Sequence, residues 1–141
     1  PRAKQEEKEA KEEAYHLLGT FGLAPYANHL AGSLPFGKQR LLEIARALAS
    51  QPVLILLDEP AAGLNSSEAM SLGESIKQIL SRGVTVFLVE HNMSLVMGFS
   101  DRVIVLNYGK LIYDGSPYQA QNNEEVIEAY LGKGRASLAR N

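Results

Sequence analysis

Val53-Leu54-Ile55-Leu56-Leu57-Asp58-Glu59-Pro60 is the stretch that decides the fold. Its apolar run has no polar break and ends on two adjacent carboxylates and a proline. Such a run, bounded by turn formers, predicts a strand covered on both faces in a parallel sheet. Ligands of parallel α/β sheets sit at the carboxyl ends of the strands, which is where Asp58 and Glu59 fall. The pair has a chemical use there. Asp58 can hold Mg²⁺ through water, and Glu59 can polarise the water that attacks a terminal phosphoryl group. A polar strand end followed by a proline turn is the plainer alternative, and this stretch alone does not separate the two.

Downstream, Asn65 with Glu68 three residues on makes a capping-box pattern, and Ala69, Leu72, Ile76 and Ile79 recur on one helical face. Gly83 supplies a stop. Val84 to Val89 is a second apolar run, so the order is strand, helix, strand, which implies a right-handed parallel crossover. That βαβ unit puts His91, just past Val89, beside the acids of the first strand. An imidazole there can donate to a phosphate, although a lone loop histidine is more often incidental.

Upstream, Leu41, Ile44, Ala45 and Leu48 mark a helix over about Gly37 to Ser50, closed by Pro52. The turn Leu34-Pro35-Phe36-Gly37-Lys38-Gln39-Arg40 opens it, and the N–H groups and dipole of a helix N-terminus favour anions. Residues 3–18 predict a charged helix with a narrow apolar face of Ala10, Ala14, Leu17 and Leu18, broken at Gly19, Gly22 and Pro25. Toward the other end, Val103 to Leu106 and Leu111 to Tyr113 read as a hairpin through Asn107-Tyr108-Gly109-Lys110. A last helix runs from about Glu124 to Leu131, followed by an apolar-poor tail expected to be mobile.

Composition narrows the function classes. The 141 residues are 45% hydrophobic and 21% charged, an ordinary globular balance that fits one domain. A formal net charge of −2 gives no footprint for nucleic acid. Without cysteine there are no disulfides, thiolate metal sites or cysteine nucleophiles. No apolar run approaches the ~20 residues that span a bilayer, so a soluble chain is expected. Gly32 to Lys38 matches the first part of a phosphate-binding Gly-x-x-x-x-Gly-Lys loop, but Gln39 replaces the hydroxyl residue and no apolar strand precedes it. A stand-alone P-loop enzyme using Lys38 is therefore disfavoured.

Taken together, these motifs resemble an ATP-binding-cassette (ABC) ATPase from its helical subdomain to its C-terminus. In that resemblance Ser33, Leu34, Pro35, Phe36, Gly37, Lys38 and Gln39 are the signature motif, Asp58 and Glu59 the Walker B pair, Ala62 to Asn65 the D-loop, and His91 the switch histidine. The signature and Asn65 would contact nucleotide, Asp58 would hold the metal, and Glu59 and His91 would act in catalysis. The implied fold is α/β, a partial P-loop NTPase. It has a helical-subdomain portion over 1–50, the rest of the ATPase core with a parallel βαβ unit and a C-terminal hairpin plus helix over 51–132, and a flexible tail over 133–141.

The Leu-Pro-aromatic-Gly turn, Gly63-Leu64-Asn65, Met97 to Arg102 and Val126 to Gly132 are similar to the ATPase subunits of branched-chain amino-acid importers, with the lipopolysaccharide-export type as runner-up. The resemblance implies ATP and Mg²⁺ as cofactors, a second ATP-binding subunit and membrane permeases as partners, and a cytoplasmic place on the inner face of the membrane. Because no P-loop is present, the chain alone is expected to be inactive and prone to self-association. A non-catalytic binding or dimerisation module is the alternative. Four residues depart from the pattern. Pro35 removes a hydroxyl and an N–H, Lys38 adds a charge that either favours phosphate or faces solvent, Asn65 stands where many such proteins carry Asp and also serves as a helix cap, and Asn92 follows His91 where Asp is usual.

Overall fold

Apolar periodicity and capping set the element order. The computed structural model describes residues 2–130. Helix α1 spans Arg2–Thr20, α2 Phe36–Leu48, α3 Ser66–Ser81, α4 Met93–Phe99 and α5 Pro117–Gln121. Strands are β1 Leu54–Asp58, β2 Thr85–Val89, β3 Val103–Asn107 and β4 Lys110–Gly115. Two compact units result, Pro1–His91 and the chain from Asn92 onward.

In the first unit β1 and β2 pair in parallel, from Leu54 opposite Thr85 to Asp58 opposite Val89. The joining helix α3 opens on a complete capping box. Asn65 Oδ1 accepts from Glu68 N at 2.9 Å, and Glu68 Oε2 accepts from Asn65 N at 3.0 Å. Its inward face buries Ala69, Leu72, Ile76 and Ile79 as the spacing predicts, and Gly83 follows its end at φ +80. Helix α2 likewise buries Leu41, Ile44, Ala45 and Leu48.

Two expectations for this unit are corrected. Gly19 does not end α1, which continues to Thr20 and buries only Leu17, so its apolar face is narrower than Ala10 and Ala14 suggested. Nor are the strands covered on both faces. Ile55 is buried, whereas Leu54, Leu56, Phe87 and Val89 are 47%, 70%, 54% and 49% exposed. Register puts these four on one face, opposite the one that carries Ile55.

The second unit begins with Asn92, whose side chain caps α4 by accepting from Leu95 N at 3.1 Å. The departure from Asp thus keeps an N-cap. The β3–β4 hairpin is antiparallel, and Tyr108 and Gly109 turn it with φ of 48° and 77°, the double positive φ of a tight hairpin loop. Arg102 forks onto Asp114 at 2.8 and 2.7 Å. That hydrogen bond holds the Asp114 carboxyl below the usual range. A depressed carboxylate stabilises the fold at neutral pH, and the contribution is lost as pH falls through its folded-state value. Residues 124–130 are helical, with Val126 buried. The Leu131 end of that helix and the 133–141 tail lie outside the described residues.

Candidate functional site

The carboxyl ends of β1 and β2 are held level by their register. Glu59 N donates to Val89 O at 2.8 Å, continuing the ladder one residue past the strand. Glu59 itself has φ +45, a left-handed conformation that a residue with a Cβ adopts only when its surroundings impose it. There the Glu59 Oε1 lies 3.5 Å from His91 Nδ1. The two side chains, 53% and 76% exposed, face a solvent-accessible edge rather than the core. The sequence expectation that the imidazole stands beside the acids is met for this pair.

The side chain of Asp58, the last residue of β1, is exposed and makes no hydrogen bond or ion pair among the described residues. No group of three or more His, Cys, Asp or Glu among the described residues could hold a metal ion. A single open carboxylate nevertheless suits Mg²⁺, which keeps most of its waters and draws its other ligands from phosphate oxygens.

Glu90 is a residue that the sequence reading passed over. Its Oε1 accepts from Ala61 N at 2.7 Å and its Oε2 accepts from His91 N at 3.1 Å. One carboxylate thereby joins the loop after β1 to the loop after β2. Its position between a strand and His91 was the available signal, but nothing in the sequence says which amides it reaches.

The loop leaving β1 is stiffened from within. Ala62 N donates to Glu59 O at 3.0 Å and Leu64 N to Ala61 O at 3.1 Å, with Gly63 at φ +78. Asn65 then caps α3 and has both its backbone N–H and its side-chain oxygen engaged.

The turn before α2 is closed by its own side chains. Ser33 Oγ donates to Leu30 O at 2.7 Å, and Gln39 Nε2 donates to Leu34 O at 2.8 Å. Leu34 is buried, and Pro35 is the N-cap without a side-chain bond of its own. Lys38 N and Gln39 N both donate to Pro35 O, at 2.9 and 3.0 Å. The N–H groups of Phe36 and Gly37 stand ahead of that ladder, the ordinary place for an anion at a helix start. Lys38 is half-buried and makes no ion pair among the described residues. Of the residues of this turn, Ser33 and Gln39 thus turn their polar groups to the turn itself, while Phe36, Gly37 and Lys38 lead the helix. A cleft of about 230 Å³ runs from Arg40, Glu43 and Ala47 on α2 to Leu56, Asp58 and Pro60.

Two family models match the sequence. One, described as ABC transporter, matches residues 1–62, and one, described as branched-chain amino acid ATP-binding cassette transporter, matches 110–136. The high-affinity branched-chain amino acid transport ATP-binding protein BraF of Pseudomonas aeruginosa is 46% identical over 134 residues, covering 94% of this chain and 52% of the relative. LivG of Escherichia coli K12, of the same description, is 45% identical over the same span. The lipopolysaccharide export system ATP-binding protein LptB of Haemophilus influenzae is 35% identical over 123 residues, covering 87% of this chain and 51% of the relative. Among solved structures, an ATP-binding cassette of an ABC transporter in its ADP conformation superposes with a TM-score of 0.80 at 29% identity, over 88% of this chain and 50% of that one. The chain spans about half the length of the curated relatives it matches. Partial P-loop NTPase architecture, shared motifs and these identities agree, and the chain belongs to the ATP-binding-cassette transporter ATPases.

Proposed function

We propose that this chain contributes the signature turn, the Walker B acids and the switch histidine of an ATP-driven importer of branched-chain amino acids. The observation that carries the reading is the 3.5 Å approach of Glu59 Oε1 to His91 Nδ1 at the ends of two parallel strands. A carboxylate so placed orients and deprotonates the attacking water, and the imidazole meets the terminal phosphate. Mg²⁺, when bound, neutralises charge on the phosphates, with Asp58 as its protein anchor through water. The Phe36 and Gly37 amides, with Lys38, face the nucleotide held by a second ATP-binding subunit.

Import is favoured over lipopolysaccharide export by the higher identity to BraF and LivG than to LptB, 46% and 45% against 35%. The amino acid itself never meets these residues. It passes through permease subunits at the membrane, against whose cytoplasmic side the ATPase docks. No helix among the described residues is long and apolar enough to cross a membrane.

This sequence contains no Gly-x-x-x-x-Gly-Lys run followed by Ser or Thr, so it has no cradle of its own for a triphosphate. The purified chain is therefore expected to show no Mg²⁺-dependent ATP hydrolysis above background in a phosphate-release assay. Turnover by the chain alone that disappears in Glu59→Gln would contradict this. In isolation, the exposed Leu54, Leu56, Phe87 and Val89 face favours self-association.

A further inference from the structure

Two contacts join the turn that opens α2 to the loop that leaves β1 and to the first turn of α3, which caps that loop. A Cβ placed on Gly63 would meet Phe36 Cε1 at 3.1 Å and Cζ at 3.6 Å, so the ring lies directly against the loop backbone. A Cβ placed on Gly37 would meet Glu68 Oε1 at 2.9 Å. The other oxygen of the same carboxylate accepts from Asn65 N at 3.0 Å. Glu68 therefore closes the cap of α3 with one oxygen and rests against the signature glycine with the other. The Phe36 ring is in turn covered by the Arg40 guanidinium, 5.0 Å from its centroid, a cation–π geometry that fixes the ring without burying it.

These contacts form a continuous path. It runs from Phe36 to Gly63, and from the adjacent Ala62 N through its hydrogen bond to Glu59 O. Any side chain on Gly63 or Gly37 would push the partner away, and Gly63 also needs its positive φ. Phe36 is half exposed, so core filling alone does not account for an aromatic residue that touches both the Gly63 backbone and the Arg40 guanidinium.

We propose that Phe36 and Glu68 are positioning residues that lock the signature turn to the 61–65 loop, so that a phosphate held at the turn fixes the backbone from which Glu59 projects. The consequence for turnover rests on the nucleotide-site reading above, whereas the mechanical link is a property of the chain itself. The test therefore has two arms.

In the first, amide hydrogen exchange is measured on the full chain for wild type, Phe36→Ala, Phe36→Tyr and Glu68→Ala. Phe36→Ala is expected to speed exchange at Ala62 and Leu64 by about tenfold while leaving Ile76 and Ile79 unchanged, the signature of local opening. Phe36→Tyr, which keeps the ring, is expected to stay within about twofold of wild type, and Glu68→Ala, which removes the acceptor of the Asn65 N–H, to speed exchange at Asn65. Unchanged exchange at Ala62 and Leu64 in Phe36→Ala overturns the link. If that variant fails to fold by circular dichroism, Phe36→Leu is read against the same criterion.

In the second arm, the complete ATP-binding subunit carrying Phe36→Ala is expected to lose about tenfold in kcat with KM within about twofold, and Phe36→Tyr to restore kcat. Faster exchange with unchanged kcat overturns the role in turnover. Absence of any Glu59-dependent hydrolysis in the wild-type subunit overturns the nucleotide reading instead, and leaves the exchange result to decide the link.

Discussion

Glu59→Gln is expected to lower ATP turnover by the complete subunit by about 10²–10⁴-fold, the range that a positioned general base contributes. The substitution keeps the shape of the side chain and its hydrogen-bonding reach but removes the charge that accepts a proton. It touches no packed neighbour. The described contact of the side chain is with His91 at 3.5 Å, and both groups are solvent-exposed. Folding stability should therefore change little, as is usual for surface substitutions. The loss should fall on kcat, with nucleotide affinity retained, because the interaction is made in the transition state and not in the ground state. Steady-state phosphate release with Mg²⁺ present, paired with equilibrium nucleotide binding, separates the two. Turnover within about twofold of wild type would remove Glu59 from the chemistry.

Leu72→Ala is expected to be among the most damaging single changes to the fold of the first unit, at about 2–5 kcal/mol. Leu72 is 0% exposed on the inner face of α3, so truncation removes apolar contact and leaves a cavity that its helix cannot collapse into. Domains hold only about 5–15 kcal/mol in total. The loss is therefore a large fraction of what keeps the β1–α3–β2 unit folded, and with it the alignment of Glu59 and His91. Met70, on the same helix but 49% exposed, is the control, and Met70→Ala should change stability by about 0.5 kcal/mol or less. Urea unfolding monitored by circular dichroism checks both, with the midpoint moving for Leu72→Ala and the slope preserved.

Much of the first unit was legible because its signals are strong ones. A run of apolar residues ending in acids, a capping box at Asn65 and Glu68, and period-matched apolar faces on α2 and α3 all point the same way, and so does the structure. The hairpin was legible for the same reason, since Gly109 supplies the positive φ that a tight turn needs, whereas the positive φ of Tyr108 was not readable from its type. Strand burial was less so. Leu54, Leu56, Phe87 and Val89 are apolar yet exposed, because hydropathy records what a residue can bury against and not which layer is present to cover it.

Short elements escaped for another reason. Met93–Phe99 and Pro117–Gln121 are too brief for an apolar period to register. Ser116 as N-cap and Pro117 at the first helical position were nonetheless a readable start signal. In the site, residue types could nominate Glu59 and His91 but not orientations. That Ser33 and Gln39 bond their own turn, that Glu90 bridges two loops, and that Phe36 rests on Gly63 are all tertiary facts. They depend on how separate segments meet, which no local pattern encodes.

The central claim is that the carboxyl ends of β1 and β2 receive the terminal phosphate of ATP. It is tested most directly by determining the structure of the complete Glu59→Gln subunit with Mg²⁺ and ATP bound. The account predicts the terminal phosphoryl group within hydrogen-bonding distance of the His91 imidazole, with the side-chain amide introduced at position 59 touching the water in line for attack and the metal's water shell on Asp58. A triphosphate whose terminal group lies away from Asp58, position 59 and His91 would contradict it.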